Sequence, residues 1–259
     1  MMLEAVKLHN WYSSPQGQAV ANLVGEVMVQ WLQVNRSVIR ILGLGFAQPY
    51  LDMIIHFLPS EHCGRPLAAA PAEMGVLAWP EGEPNRVAQV RPDALPFADE
   101  QFDQVIMAHF LEGSESPRAA LRETWRILAP GGRLLSMVPN RGGLWARRDS
   151  TPFGWGRPFS PRQLSALLTE SLFIPRQSRF ALFMPPVAGH YFLRAAPAWE
   201  KAGNRWFAPL GGAILCEAEK VVYARTPLAT QANALTSHGR PLTQGFASRC
   251  QEGRMDRSE

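Results

Sequence analysis

Between Val20 and Leu32 apolar residues return every third or fourth position, at Val20, Leu23, Val24, Val27, Met28, Trp31 and Leu32. That spacing predicts a helix with one apolar face over Ser14 to Asn35, opened by Ser14 as N-cap and Pro15 at the first helical position. The pattern then changes. Val38 to Leu42 is a short apolar run rich in β-branched residues, stopped by Gly43 and Gly45, and Pro49 opens a helix through about Leu58. Strand, tight turn and helix in succession predict the first unit of a parallel α/β sheet. Further strands are expected at Arg65–Ala70, Asn85–Val90, Phe102–His109 and Arg133–Val138. One helix starts at Ser116-Pro117, with Leu121, Trp125 and Leu128 on a face, and ends at Ala129-Pro130-Gly131-Gly132. Another starts at the capping box Ser160-Pro161-Arg162-Gln163. Late strands at Arg179–Met184 and Ala213–Tyr223 lack the alternation with helices and predict an antiparallel, hairpin-like end to the sheet. The fold class is therefore α/β, with a mostly parallel sheet. Residues 1–225 form one domain with an N-terminal helix. From Thr226 to Glu259 the periodicity stops, and a disordered tail is expected over 226–259.

Composition adds limits. The 259 residues are 46% hydrophobic and 19% charged, as expected of a globular chain with a sizeable core. No apolar run approaches the roughly 18–20 residues that span a bilayer, so no membrane partner is expected. Residues 1–10 show no signal-peptide core. Cys63, Cys216 and Cys250 are odd in number and far apart, which predicts a reducing, cytoplasmic setting and no metal site. The net charge is +4 and almost all of the positive charge is arginine. Arg133, Arg141, Arg147, Arg148, Arg157 and Arg162 gather with one acid, Asp149, among them. Such a cluster suits phosphate or carboxylate recognition, or is a solvated face. Nucleic-acid binding has no motif or basic arm behind it.

The candidate chemistry is sparse. No Ser-His-Asp, Cys-His or paired-carboxylate arrangement is present. Gly43 and Gly45 offer bare backbone to a ligand, or simply turn the chain. His109, at the end of a predicted strand, is a candidate general base or a packing residue. His190 and Tyr191 lie between the late strands and are candidates for lining an acceptor pocket. Trp145, Phe153, Trp155 and Phe159 either wall that pocket or pin their loop to the core.

Three stretches resemble the class I S-adenosylmethionine-dependent methyltransferases of the small-molecule type 11 group. Ile41-Leu42-Gly43-Leu44-Gly45-Phe46 stands at the family's glycine-rich motif. Asp93-Ala94-Leu95-Pro96-Phe97, with Asp99 to Asp103, matches a second segment, and Leu121 to Leu134 matches a third. The resemblance implies a Rossmann-like, doubly wound, seven-stranded sheet, mostly parallel with an antiparallel last strand. It also implies S-adenosylmethionine as cofactor and a small-molecule acceptor, with an anionic one suited to the arginines. Gly43 and Gly45 would border the methionine end, Asp93 with Ala94 the adenine, and His109 and Phe110 the reactive end. Tyr12, Phe46 and Leu95 are also counted among the cofactor-binding residues, and His109 is the catalytic candidate. The chain departs from the family where Gly43 replaces an acid and where Ala70 stands near the ribose-binding acid's place. A catalytically silent relative, acting as a binding or assembly protein, would instead fill the crevice with Phe46 or Tyr50. The oligomeric state is not legible in the sequence.

Overall fold

The computed structural model describes residues 2–32, 39–59, 64–187 and 189–221, without the side chains of His190 and Tyr191. His62-Cys63 and the tail from residue 226 lie outside the described residues. Two helices come first, α1 (Ala5–Tyr12) and α2 (Pro15–Gln30). Then follow β1 (Ile41–Gly45), α3 (Gln48–Phe57), β2 (Leu67–Pro71), β3 (Val87–Val90) and β4 (Phe102–Ala108). The chain continues through α4 (Pro117–Ile127), β5 (Leu128–Pro139), α5 (Pro161–Glu170) and β6 (Phe173–Ala181). It closes with α6 (His190–Arg194), α7 (Ala196–Trp206) and β7 (Ala213–Lys220).

The seven strands form one sheet in the order β3-β2-β1-β4-β5-β7-β6. Strands β1 to β5 are parallel, while β7 runs antiparallel to both β5 and β6. Side chains alternate across the pleat. Ile41, Ile106, Leu135, Met137 and Leu215 therefore face one core, which α1, α2 and α3 cover with Leu8, Val20, Val24 and Tyr50. Leu42, Leu44, Val105, Met107, Leu134 and Ile214 face the other, covered by α4 and α5 through Leu121, Leu164 and Leu168.

Helix α1 is an element the spacing argument missed. Ala5, Leu8 and Tyr12 are its buried residues, and so short a stripe is below what periodicity resolves. The helix is anchored from outside by Ala5 N–H donating to Met74 O at 2.7 Å. Helix α4 stops at Ile127, so Leu128 belongs to β5 and pairs with Phe102 rather than extending a helix face. The expected strand at Arg179–Met184 begins earlier, at Phe173. Its Pro175 and exposed middle suit an edge strand, where a missing N–H is tolerated. β7 fills the place beside β5, and β6 is left on the rim.

Two stretches singled out in the sequence hold each other. Arg126 donates to Leu95 O and Phe97 O at 2.9 Å each, and it pairs with Glu123 and Asp99. Glu123 in turn accepts from Leu95 N at 2.9 Å. Helix α4 thereby clamps the 93–99 connection against the sheet.

Candidate functional site

In open parallel sheets ligands sit at the carboxyl ends of strands where strand order reverses. Here that point lies between β1 and β4, where Gly45 is paired with Ala108. The glycine turn is shaped by its own packing. Gly45 has φ +81°, and a Cβ there would stand 2.3 Å from Ala108 O and 2.9 Å from Phe110 Cβ. A Cβ on Gly43 would meet Ala47 Cβ and Leu51 Cδ1 at 2.8 Å. Both glycines are thus required by protein neighbours, independently of any ligand.

Above the turn the side chains close up. Tyr12 stacks on Phe46 with ring centres 5.5 Å apart, and both rings are buried. The Tyr12 hydroxyl lies 2.8 Å from Tyr50 Oη and 2.8 Å from His109 Nε2. On the far side of the imidazole, His109 Nδ1 lies 3.1 Å from Glu112 Oε1. The four residues form one buried polar chain, Glu112–His109–Tyr12–Tyr50. A consistent proton assignment has His109 Nδ1–H donating to Glu112, Tyr12 O–H donating to His109 Nε2, and Tyr50 O–H donating to Tyr12. Met137 Sδ, 3.3 Å from Tyr50 Oη, competes for that last hydrogen. His109 has φ +52° and rests edge-on against Phe153, 5.1 Å between ring centres. Glu112 Oε2 is buried without a hydrogen-bond partner. Leaving such an acceptor unmet costs about 1–3 kcal/mol, so this oxygen is a strained feature of the site. Glu112 was missed in the sequence, and its signal is the His-x-x-Glu spacing directly after β4.

The other expected site residues do not converge on this chain. Asp93 and Ala94 are exposed, and Asp93 is held by the Arg91 guanidinium, which keeps its carboxyl below the usual range. Leu95 and Phe110 are buried in the opposite core. β2 ends at Ala70-Pro71 with no acid, and Glu73 is exposed. With Tyr12 stacked on Phe46 over the turn and no acid at the end of β2, a nucleoside can lie across Gly43 and Gly45 only once Tyr12 has moved. A cleft of about 840 Å³ opens beside the Tyr12–Phe46 pair, also lined by Gln48, Asp52 and Trp79. Trp79 Nε1 donates to Asp52 Oδ1 at 2.8 Å, and burial pushes that carboxyl up.

The aromatic loop pins itself to the core. Trp145 and Phe153 are fully buried, and Trp145 Nε1 donates to Met184 O at 2.8 Å. Arg141, Arg147, Arg148, Arg157 and Arg162 are exposed, whereas Arg133 pairs with Glu217 and Glu219. Among the described residues no cluster of ligating side chains suits a metal, and no helix is long and apolar enough to cross a membrane.

The buried acids set an alkaline limit. Burial, then the Tyr50 and Glu112 charges, holds the Tyr12 phenol well above 10, and burial likewise raises Tyr50. Burial pushes the Cys216 thiol up to about 12. In each case the unfolded chain ionises first, so the stability held at lower pH is lost as pH rises. The loss begins above about 9 for Cys216 and above about 10 for the tyrosines, at about 1.4 kcal/mol per pH unit for each group. Urea denaturation across this range is expected to show a steepening decline, and Tyr50→Phe to flatten it above about pH 10.

Residues 71–136 match the methyltransferase domain family. An uncharacterized protein of Mycobacterium tuberculosis (strain H37Rv) is 29% identical over 215 residues, which is 79% of this chain and 70% of that protein. A demethylmenaquinone methyltransferase of Mycolicibacterium paratuberculosis is 37% identical over 111 residues, covering 40% of this chain and 46% of its own. Among solved structures, the complex of the Haloferax volcanii Trm112 methyltransferase activator with a methyltransferase superposes with TM-score 0.58 at 15% identity. It covers 84% of this chain and 97% of that one. A Thermotoga maritima S-adenosylmethionine-dependent methyltransferase, described as a possible histamine N-methyltransferase, gives 0.52 at 17% identity, over 82% and 93%. At these identities the solved structures share the fold.

Proposed function

We propose that this chain, whose residues 71–136 match the methyltransferase domain family and whose sheet has the fold of S-adenosylmethionine-dependent methyltransferases, transfers a methyl group to a small-molecule acceptor from a crevice that Tyr12 holds shut. The observation that carries this reading is the Tyr12 hydroxyl seated 2.8 Å from His109 Nε2 at the carboxyl end of β4. An acceptor O–H or N–H needs that same place against the imidazole. Once Tyr12 leaves, His109 Nε2 is free to take the acceptor's proton, and Glu112 stabilises the resulting imidazolium through Nδ1–H. Glu112 also fixes the tautomer that leaves Nε2 unprotonated. The partial relative named for demethylmenaquinone supports a small-molecule acceptor.

The second reading, a catalytically silent binding or assembly protein, is favoured by the same closure. Phe46 and Tyr50 are buried over the turn, and neither strand end offers the acids that grip a nucleoside. Calorimetric titration with S-adenosylmethionine and S-adenosylhomocysteine separates the two. Saturable binding that His109→Asn leaves intact while abolishing methyl transfer supports the enzyme. No heat and no thermal shift at millimolar ligand supports the silent protein.

A further inference from the structure

Away from the crevice, the segment between β6 and β7 carries apolar surface that the core does not use. Trp206, Phe207 and Leu210 are 72%, 57% and 55% exposed and lie within five residues at the end of α7. Trp199 and Phe192 are exposed upstream on α7 and α6. Trp199 precedes Trp206 by seven residues, so the two rings project from the same side of the helix. The side that α7 buries is marked by Ala196 and Gly203, also seven apart, with Gly203 pressed against Phe183. The tryptophans therefore flank the buried side without joining it.

The two helices that carry these rings expose charge of one sign. Arg194, Lys201 and Arg205 are exposed on the same two helices. The one acid there, Glu200, is turned inward, its Oε1 accepting from Phe183 N at 2.7 Å. Large exposed apolar patches mark interaction sites. Arg205 lies about 100° around the helix from Trp206, at the flank of the rings, whereas Lys201 points away from both tryptophans. Aromatic rings with arginine at their flank suit the boundary between headgroups and acyl chains. There the rings enter the apolar layer and the bases meet anionic lipid.

We propose that α6, α7 and the turn to Leu210 form a docking surface for an anionic lipid bilayer, on which the chain lies without spanning it. The inference goes beyond methyl transfer and holds for a catalytic or a silent protein. It is tested by sedimenting the full chain with phosphatidylglycerol-rich vesicles and with pure phosphatidylcholine vesicles. Binding to the anionic vesicles is expected, with ~tenfold or greater loss in Trp206→Ser/Phe207→Ser. The Arg194→Glu/Arg205→Glu variant is expected to lose the preference for anionic lipid, as is the parent chain at high salt. Since all four residues are exposed, thermal unfolding should be unchanged in both variants. Absence of vesicle-dependent sedimentation overturns the proposal, and so does undiminished binding by both variants. An oligomer that Trp206→Ser/Phe207→Ser disperses, without vesicle binding by the parent, assigns the patch to self-association instead.

Discussion

A Tyr12→Phe variant is expected to bind S-adenosylmethionine ~fivefold or more tightly than the parent chain while losing about 1–3 kcal/mol of stability. The hydroxyl's two hydrogen bonds, to Tyr50 and His109, must break before the ring can leave the crevice. Each is worth about 0.5–1.5 kcal/mol net. Removing both lowers the cost of opening by about 1–3 kcal/mol, and every 1.4 kcal/mol is a factor of ten in apparent affinity. The stack on Phe46 is kept, so the change isolates the polar latch from the packing. Calorimetry on both proteins, with thermal unfolding alongside, reads the two effects. Equal affinities would remove Tyr12 as the latch, and silence from both proteins would favour the non-catalytic reading.

Gly45→Ala tests the opposite end of the turn, and its expected result is structural. The left-handed backbone costs a non-glycine residue about 1–2 kcal/mol. The new Cβ also meets the Ala108 carbonyl, a backbone atom that cannot rotate away, and such overpacking adds about 1–3 kcal/mol. A loss of about 3–4 kcal/mol lowers the melting temperature by ~6–15 °C, with no ligand present. Gly43→Ala should cost less, since it meets only the side chains of Ala47 and Leu51. A Gly45→Ala protein that melts normally but fails to bind S-adenosylmethionine would show the turn to be a ligand cradle after all.

Most of the sheet was readable because its buried strands announce themselves locally, whereas the exposed edge strand β6 begins at Phe173, six residues before its expected start at Arg179. Ile41 to Gly45 and Phe102 to Ala108 are apolar runs bounded by breakers, as strands buried on both faces must be. The segments matched to the family were readable for a related reason. Glu123 and Arg126 grip Leu95 and Phe97, so their spacing reflects an architectural clamp rather than ligand contact. That is why resemblance gave the fold more surely than the site. The site depends on Tyr12, Tyr50, His109 and Glu112, drawn from α1, α3 and the turn after β4. No local pattern links positions 12, 50 and 109. Asp93 shows the converse, a residue that fits its motif yet faces solvent beside Arg91.

The position of β7 bears on how the chain is made. Its neighbours are β5 and β6, and among the described residues β6 pairs with no other strand. During synthesis β6 therefore waits, its hydrogen-bonding groups open to water or to other chains, until Ala213 to Lys220 has left the ribosome and can slide between them. A transcript cut short before that point would leave two unpaired ribbons, and such fragments should be early clients of chaperones and proteases.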